Sequence, residues 1–341
     1  LFWEALAATS RLEDSPEVVR ERLRGDVVVR EALERMWPVL TPAELLNDLY
    51  GSPGLLKLAA HRYLEPTEWK LLSRPRESVA AEVVFTNHDV PVLDEALELL
   101  GPRPRHKDDD VVRTYGHIVV DEAQDLSPMQ LRVLDRRSLN GSMTVVGDIA
   151  QSTGAWAHDD WDSVLEDLPS RRPPRRAELT VGYRVPGPIM DLAAKVLRIA
   201  APGLQPPTSI RHTGDAPIFS ACSDVDLDME IADSVRRELK AVGSGNVAVV
   251  VPGSLVERAD AALIDAGIEH GRATRQGLDR QVTIVPTSLI KGLELDSVIV
   301  VEPAAILREE VRGPQSLYVA LTRSTKRLSI VHAEPLPDVL R

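Results

Sequence analysis

Apolar positions recur at helical spacing from residue 1 to about 80, broken by start signals. Ser15-Pro-Glu17 and Thr41-Pro-Ala-Glu44 each place a capping hydroxyl, a proline at the first helical position and an acid in the first turn. Val90 to Leu100 predicts one more helix, and Gly101 to Asp110, rich in Pro, Arg and Asp, then reads as a polar linker. From Val111 onward the pattern changes. Short β-branched runs alternate with amphipathic stretches: Ile118 to Val120, Thr144 to Val146, Val247 to Val251, Val282 to Val285, Val298 to Val301 and Leu328 to Val331. Continuous apolar strands of this kind predict parallel sheets covered on both faces. The intervening helices fit, since Trp161, Val164, Leu165 and Leu168 share one face, as do Ile231, Val235 and Leu239.

These changes of texture predict three regions, 1–112, 113–176 and 177–341, with the second boundary in the Pro-broken stretch Pro169 to Arg176. The expected class is α/β, with helices preceding two parallel-sheet lobes of which the first is incomplete. No internal repeat or low-complexity tract interrupts it.

Composition narrows the function classes. Apolar residues make up 43% of the chain, yet no run approaches the roughly 18 that a membrane span needs, and no leader pattern opens the sequence. A soluble, cytoplasmic protein with no membrane partner is expected. The single Cys222 excludes an internal disulfide, and the 8 His lack ligand spacing. Net charge is −12, with 14 basic against 21 acidic residues in 1–112 and 26 against 31 in 113–341. A global electrostatic grip on nucleic acid is therefore not expected, and contact with DNA or RNA must be local. Of the 40 basic residues 33 are Arg, a bias that GC-rich coding produces. The opening Leu1-Phe-Trp3, set inside an apolar helical pattern, suggests a piece of a longer protein.

Candidate chemistry begins at His117-Ile-Val-Val-Asp-Glu-Ala-Gln-Asp125, an apolar strand running into adjacent carboxylates. Asp121 there can hold a magnesium ion and Glu122 can orient an attacking water, as nucleotide hydrolysis requires. Alone, the pair could equally be a solvated strand end. Further elements follow in order: Gly147-Asp148-x-x-Gln151, whose amide can sense phosphate; Leu179 to Arg184, with Tyr183 offering an aromatic face and Arg184 a phosphate contact; and Lys291-Gly-Leu-Glu-Leu-Asp296. In that last string Gly292 permits close approach and Glu294 can accept from a ribose hydroxyl. Leu317-Tyr-Val-Ala-Leu-Thr-Arg323 supplies a second Arg. The phosphate-cradling string G-x-x-x-x-G-K-[ST] occurs nowhere in the 341 residues.

In order and spelling these elements resemble the UvrD/Rep type of superfamily 1 helicase, from its second motif to its sixth, over about residues 90 to 332. The resemblance implies two RecA-like lobes, ATP and magnesium. It makes Asp121 the magnesium-linked carboxylate, Glu122 the base, Gln151 the phosphate-sensing Gln and Tyr183 the adenine-stacking ring. Arg184 and Arg323 become arginine fingers and Glu294 the ribose contact. Arg suits the finger role because its planar fork stays charged and binds phosphate oxygens bidentately. Fingers on the second lobe imply that hydrolysis requires the lobes to close.

Several positions depart from that family. Gly182 precedes Tyr183 where Asn is usual, and Ser288 stands where a His is usual. Ser152 to His158 replaces the usual base-stacking segment, and only 107 residues separate Arg184 from Lys291, too few for the large second-lobe insertion of DNA-unwinding relatives. The shortened lobe, Asp148-Ile-Ala-Gln-Ser-Thr-Gly-x-Trp156 and a helical segment ahead of Asp89 resemble the HelD branch. This actinobacterial branch binds bacterial RNA polymerase, helps release it from nucleic acid and includes members linked to rifamycin tolerance. On that resemblance, residues 1–112 are a helical insertion with the start of the remaining lobe 1A, 113–176 the later part of lobe 1A, and 177–341 lobe 2A. The implied partners are RNA polymerase and the remaining N-terminal part of the same protein. Two rivals stay open: a UvrD/Rep-type DNA helicase or translocase, and a non-catalytic polymerase-binding module.

Several conspicuous residues have plainer readings. Trp161, on an apolar helical face, belongs to the core, while Trp156 stays open between packing and stacking on a base. Arg171, Arg172, Arg175 and Arg176 read as a solvated linker, Asp108 to Asp110 as a charge run, Pro252-Gly-Ser254 as a plain turn and Cys222 as a small buried residue.

Overall fold

The computed structural model describes residues 16–101, 113–154, 156–168, 173–273 and 280–341. The Ser15 cap, most of the 101–110 linker including Asp108 to Asp110, and Arg171 and Arg172 lie outside the described residues. The chain divides into two compact units, Leu1–Arg113 and Thr114–Arg341.

The first unit is helical: α1 (Pro16–Gly25), α2 (Val27–Met36), α3 (Pro42–Gly51), α4 (Pro53–Ala60), α5 (Pro66–Leu71) and α6 (Val90–Leu100). The start signal at Thr41 works as its residue types require. Its hydroxyl accepts from the Glu44 N–H at 2.9 Å while the Glu44 carboxylate accepts from the Thr41 N–H at 2.7 Å. Leu46, Leu56, Ala60 and Ala96 are buried here. Ahead of α6, Asp89 is held by the Arg74 fork at 2.7 and 2.9 Å and by the Thr86 N–H and hydroxyl at 2.7 and 2.8 Å.

The second unit is α/β, the class its apolar runs demand. β1 (Ile118–Val120) and β2 (Met143–Val145) pair in parallel, with α7 (Pro128–Arg137) between them in sequence. Val120, Leu131 and Ile149 form a core with Val164 and Leu168 of the α8 region (helix Trp161–Glu166), and Trp161 packs against it. A second two-stranded parallel pair joins β3 (Val181–Gly182) to β4 (Thr208–Ser209).

The main sheet has six parallel strands in the order β5-β10-β9-β6-β8-β7, comprising Ile218–Ala221, Ser324–His332, Leu295–Val301, Val247–Val251, Val282–Pro286 and Gly271–Arg272. Strand period decides its cores. Val247, Val249 and Val251 face α10 (Leu227–Val242) and α11 (Val256–Asp265), whereas Ala248 and Val250 face α9 (Gly187–Ala200) and α13 (Gly313–Thr322), which follows α12 (Pro303–Glu309). All five β6 residues are buried, hence their unbroken apolar spelling. Ile231 and Val235 of α10 lie in the core with Val247, Val249 and Val251, and Leu239 packs against it. Cys222 is half-buried rather than buried, because it follows edge strand β5; its thiol lies 3.6 Å from the His332 carbonyl. Pro252-Gly-Ser254 opens into a single 3-10 turn over Gly253–Leu255.

Candidate active site

Two strand ends meet at the start of the site. Beyond β1 the backbone turns at Glu122, which adopts the left-handed conformation (φ 52°, ψ 38°) and donates its N–H to Asp121 Oδ1 at 2.8 Å. A non-glycine residue in this region carries strain on the order of 1 kcal/mol. The turn aims the Glu122 carboxylate sideways, where Gln124 Nε2 donates to its Oε2 at 2.6 Å. Gln124 is fully buried, and its side-chain oxygen Oε1 accepts the Asp148 N–H at 3.0 Å, joining the ends of β1 and β2. Gly147 makes room for this link. A Cβ there would fall 2.4 Å from Gln124 Oε1, 3.2 Å from the Ala123 nitrogen and 3.3 Å from the Trp161 ring.

After β2, Asp148 caps a 3-10 turn by accepting from the Ala150 N–H at 3.0 Å, and its other oxygen accepts from Gln151 Nε2 at 2.7 Å. The Gln151 amide is thereby oriented with its carbonyl turned towards Arg323, whose Nη2 donates to it at 2.6 Å. Arg323 follows α13 and is 6% exposed. Burial pulls its guanidinium below the ordinary Arg value, Arg184 pulls the same way, and Glu122 and Asp148 oppose them. Tyr318, one turn back on α13, has its hydroxyl pushed up by burial and by the charge of Asp148.

Lys291 enters from the segment between β8 and β9. Its ammonium contacts Asp125 Oδ2, donates to the Gln151 main-chain carbonyl at 2.7 Å and lies 3.5 Å from Glu122 Oε2. Burial raises the Asp125 carboxyl above its ordinary value despite the opposing pull of Lys291, with Glu122 adding a smaller upward push. Gly292 follows in the left-handed region at φ 77°, the conformation a glycine takes without strain.

The remaining candidates form a more open group. Arg184 Nη2 pairs with Glu294 Oε1 at 2.7 Å, the two side chains being 44% and 57% exposed. Tyr183 is 72% exposed. Arg211 steadies this group from beneath, donating to the carbonyls of Arg184 at 2.7 Å and Thr325 at 2.5 Å. Trp156 is exposed, and His158 ties its segment back, with Nε2 2.9 Å from the Leu126 carbonyl.

Glu122, Gln151 and Arg323 therefore lie in one connected network, Arg184 and Glu294 form a pair, and Asp121 opens the carboxylate turn, its Oδ1 accepting the Glu122 N–H. Gln124, Asp125 and Lys291 escaped the sequence reading as participants. The spelling Asp-Glu-Ala-Gln-Asp contained the signal for the first two, since a turn of two residues beyond a strand end can return Gln124 to Glu122.

The residues suit a magnesium nucleotide in donor chemistry. The hard carboxylate oxygens of Asp121 and Glu122 match magnesium. Arg323 Nε, buried and without a hydrogen-bond partner among the described residues, is a cationic donor of the kind phosphate oxygens satisfy. Among those residues no three His, Cys, Asp or Glu form a cage sufficient for a metal ion.

Residues 95–167 match the model of the UvrD/REP helicase N-terminal domain family, and this stretch contains Asp121, Glu122, Gln124, Asp125, Asp148 and Gln151. The match covers this stretch alone, within the 341 residues of the chain. No curated protein matches the chain in sequence. Solved structures that share similarity include the C-terminal domain of a possible DNA helicase from Lactobacillus plantarum, at 23% identity and TM-score 0.37, over 47% of this chain and 92% of that one. Another is Arterivirus nonstructural protein 10 (helicase) with DNA, at 14% identity and TM-score 0.26, over 42% of this chain and 30% of that one. No helix among the described residues is long and apolar enough to cross a membrane.

Proposed function

We propose that this chain is the later motor portion of an ATP-hydrolysing, UvrD/Rep-like superfamily 1 protein. One observation carries the reading: Arg323 Nη2 reaches Gln151 Oε1 at 2.6 Å, so that an arginine beyond α13 meets the amide that follows the carboxylate strand. Glu122 would take the proton of the attacking water, its carboxylate oriented by Gln124. Gln151 would report the terminal phosphate to Arg323, and Arg323 and Arg184 would stabilise negative charge on the transferring group. Tyr183 would stack on adenine and Glu294 would accept from the ribose. Asp121 would hold magnesium, which when bound neutralises phosphate charge. The test is ATP turnover by the full-length protein with and without Glu122→Gln. Because the chain contains no G-x-x-x-x-G-K-[ST], the 341 residues alone should turn over ATP negligibly.

Within this reading, hydrolysis drives release of bacterial RNA polymerase from nucleic acid, as in the HelD branch, with the helical first unit in contact with polymerase. The 107-residue interval between Arg184 and Lys291 and the acidic balance of 1–112 support it. The DNA translocase reading is favoured by the family match over 95–167. Affinity capture after nuclease treatment separates them. Recovery of polymerase supports the first, whereas tight binding and unwinding of naked DNA at physiological salt support the second.

A further inference from the structure

Lys291 has no part in the chemistry just described, yet its ammonium stands between the carboxylates of Glu122 and Asp125. Its side chain is only 18% exposed, and a lysine drawn so far from water requires good partners. All three of its partners, Asp125 Oδ2, the Gln151 carbonyl and Glu122 Oε2, lie on the segment from 121 to 151, while Lys291 belongs to the segment linking β8 to β9. Gln151 is thus gripped twice from the later part of the unit, through its main-chain oxygen by Lys291 and through its side-chain oxygen by Arg323. The exposed Arg184–Glu294 pair differs, since both its members lie in the later part and neither is buried.

We propose that Lys291 is a positioning residue, a latch that clasps Asp125 and the Gln151 backbone and so holds Glu122 and Gln151 in register with Arg323. This rests on the site being the nucleotide-hydrolysing one and specifies how its two sides are kept together. Two consequences follow from the geometry. Asp125 and Lys291 act as one unit, so removing both costs little more than removing either. Loss of the latch also lowers kcat rather than nucleotide affinity, because Lys291 reaches protein oxygens.

The experiment compares the full-length protein with Lys291→Met, Asp125→Asn, the double variant and Lys291→Arg. Amide hydrogen exchange of Ala123–Leu126 and Gln151–Ser152 is read alongside kcat and KM for ATP. Each single removal should speed exchange about tenfold, the double should stay within about threefold of the singles, and Lys291→Arg should recover most of the protection. Unchanged exchange in Lys291→Met, or singles whose effects multiply in the double, would overturn the latch. If Lys291→Met does not fold, Asp125→Asn against Lys291→Arg makes the same comparison, and equal loss of protection in both contradicts the proposal. A wild-type protein without ATP turnover but with the coupled exchange pattern would refute the functional reading and leave the latch standing.

Discussion

Arg184 and Glu294, which the proposed function assigns to the phosphate and ribose ends of one nucleotide, are bonded to each other at 2.7 Å. A nucleotide taken up by both must part them. The pair is exposed enough for water to screen it, so parting it costs little. Glu294→Ala should therefore leave the melting temperature nearly unchanged while weakening binding of a non-hydrolysable ATP analogue severalfold by calorimetry. Unaltered affinity would remove Glu294 from the binding residues.

Gly147 lacks a side chain because the Gln124 carbonyl occupies the space. With its Cβ 2.4 Å from that oxygen, Gly147→Ala must displace Gln124 from Asp148 and from Glu122. A loss of roughly 1–3 kcal/mol in urea unfolding is expected, with a fall in ATP turnover comparable to that of Gln124→Ala. Full stability in Gly147→Ala would mean that Gln124 is not fixed there.

The first unit carries a pH signature. Fourfold hydrogen bonding, chiefly from Arg74, lowers the Asp89 carboxyl from 3.8 to about 2. A carboxylate with a depressed folded-state value contributes stability above its unfolded value and loses it as pH falls through the folded one. The contribution, on the order of 2 kcal/mol at neutral pH, should fade between about pH 4 and pH 2. Far-ultraviolet circular dichroism of the helical unit should show this acid transition, and Asp89→Asn should abolish most of its pH dependence. A transition identical in Asp89→Asn would assign it to other carboxylates.

Much of this architecture was legible in the sequence, and the exceptions have physical causes. Val247 to Val251 and Val298 to Val301 are spelled as buried parallel strands because helices cover both faces, and Thr41 and Glu44 spell their own capping box. The pairs Val181–Gly182 and Thr208–Ser209 gave no signal, because two residues cannot establish a period. Ile218–Ala221 pairs on one side at the sheet edge, and its alternation of half-buried and exposed residues has no fully apolar run to find. Asp121, Glu122 and Gln151 could be singled out as candidates because they follow the apolar strand runs directly. Lys291 could not, since its partners lie up to 169 positions away and only the fold brings them near.

On the proposed function, Arg323 and the Glu122–Gln151 network form one hydrolytic site. Single-turnover ATP hydrolysis by the full-length protein, wild type against Arg323→Ala with analogue affinity measured in parallel, tests it most directly. Cleavage should fall by about a thousandfold, as for other charge-stabilising arginines, while nucleotide binding changes by less than about tenfold. Wild-type cleavage rates in Arg323→Ala would show that Arg323 does not act on the transferring phosphate.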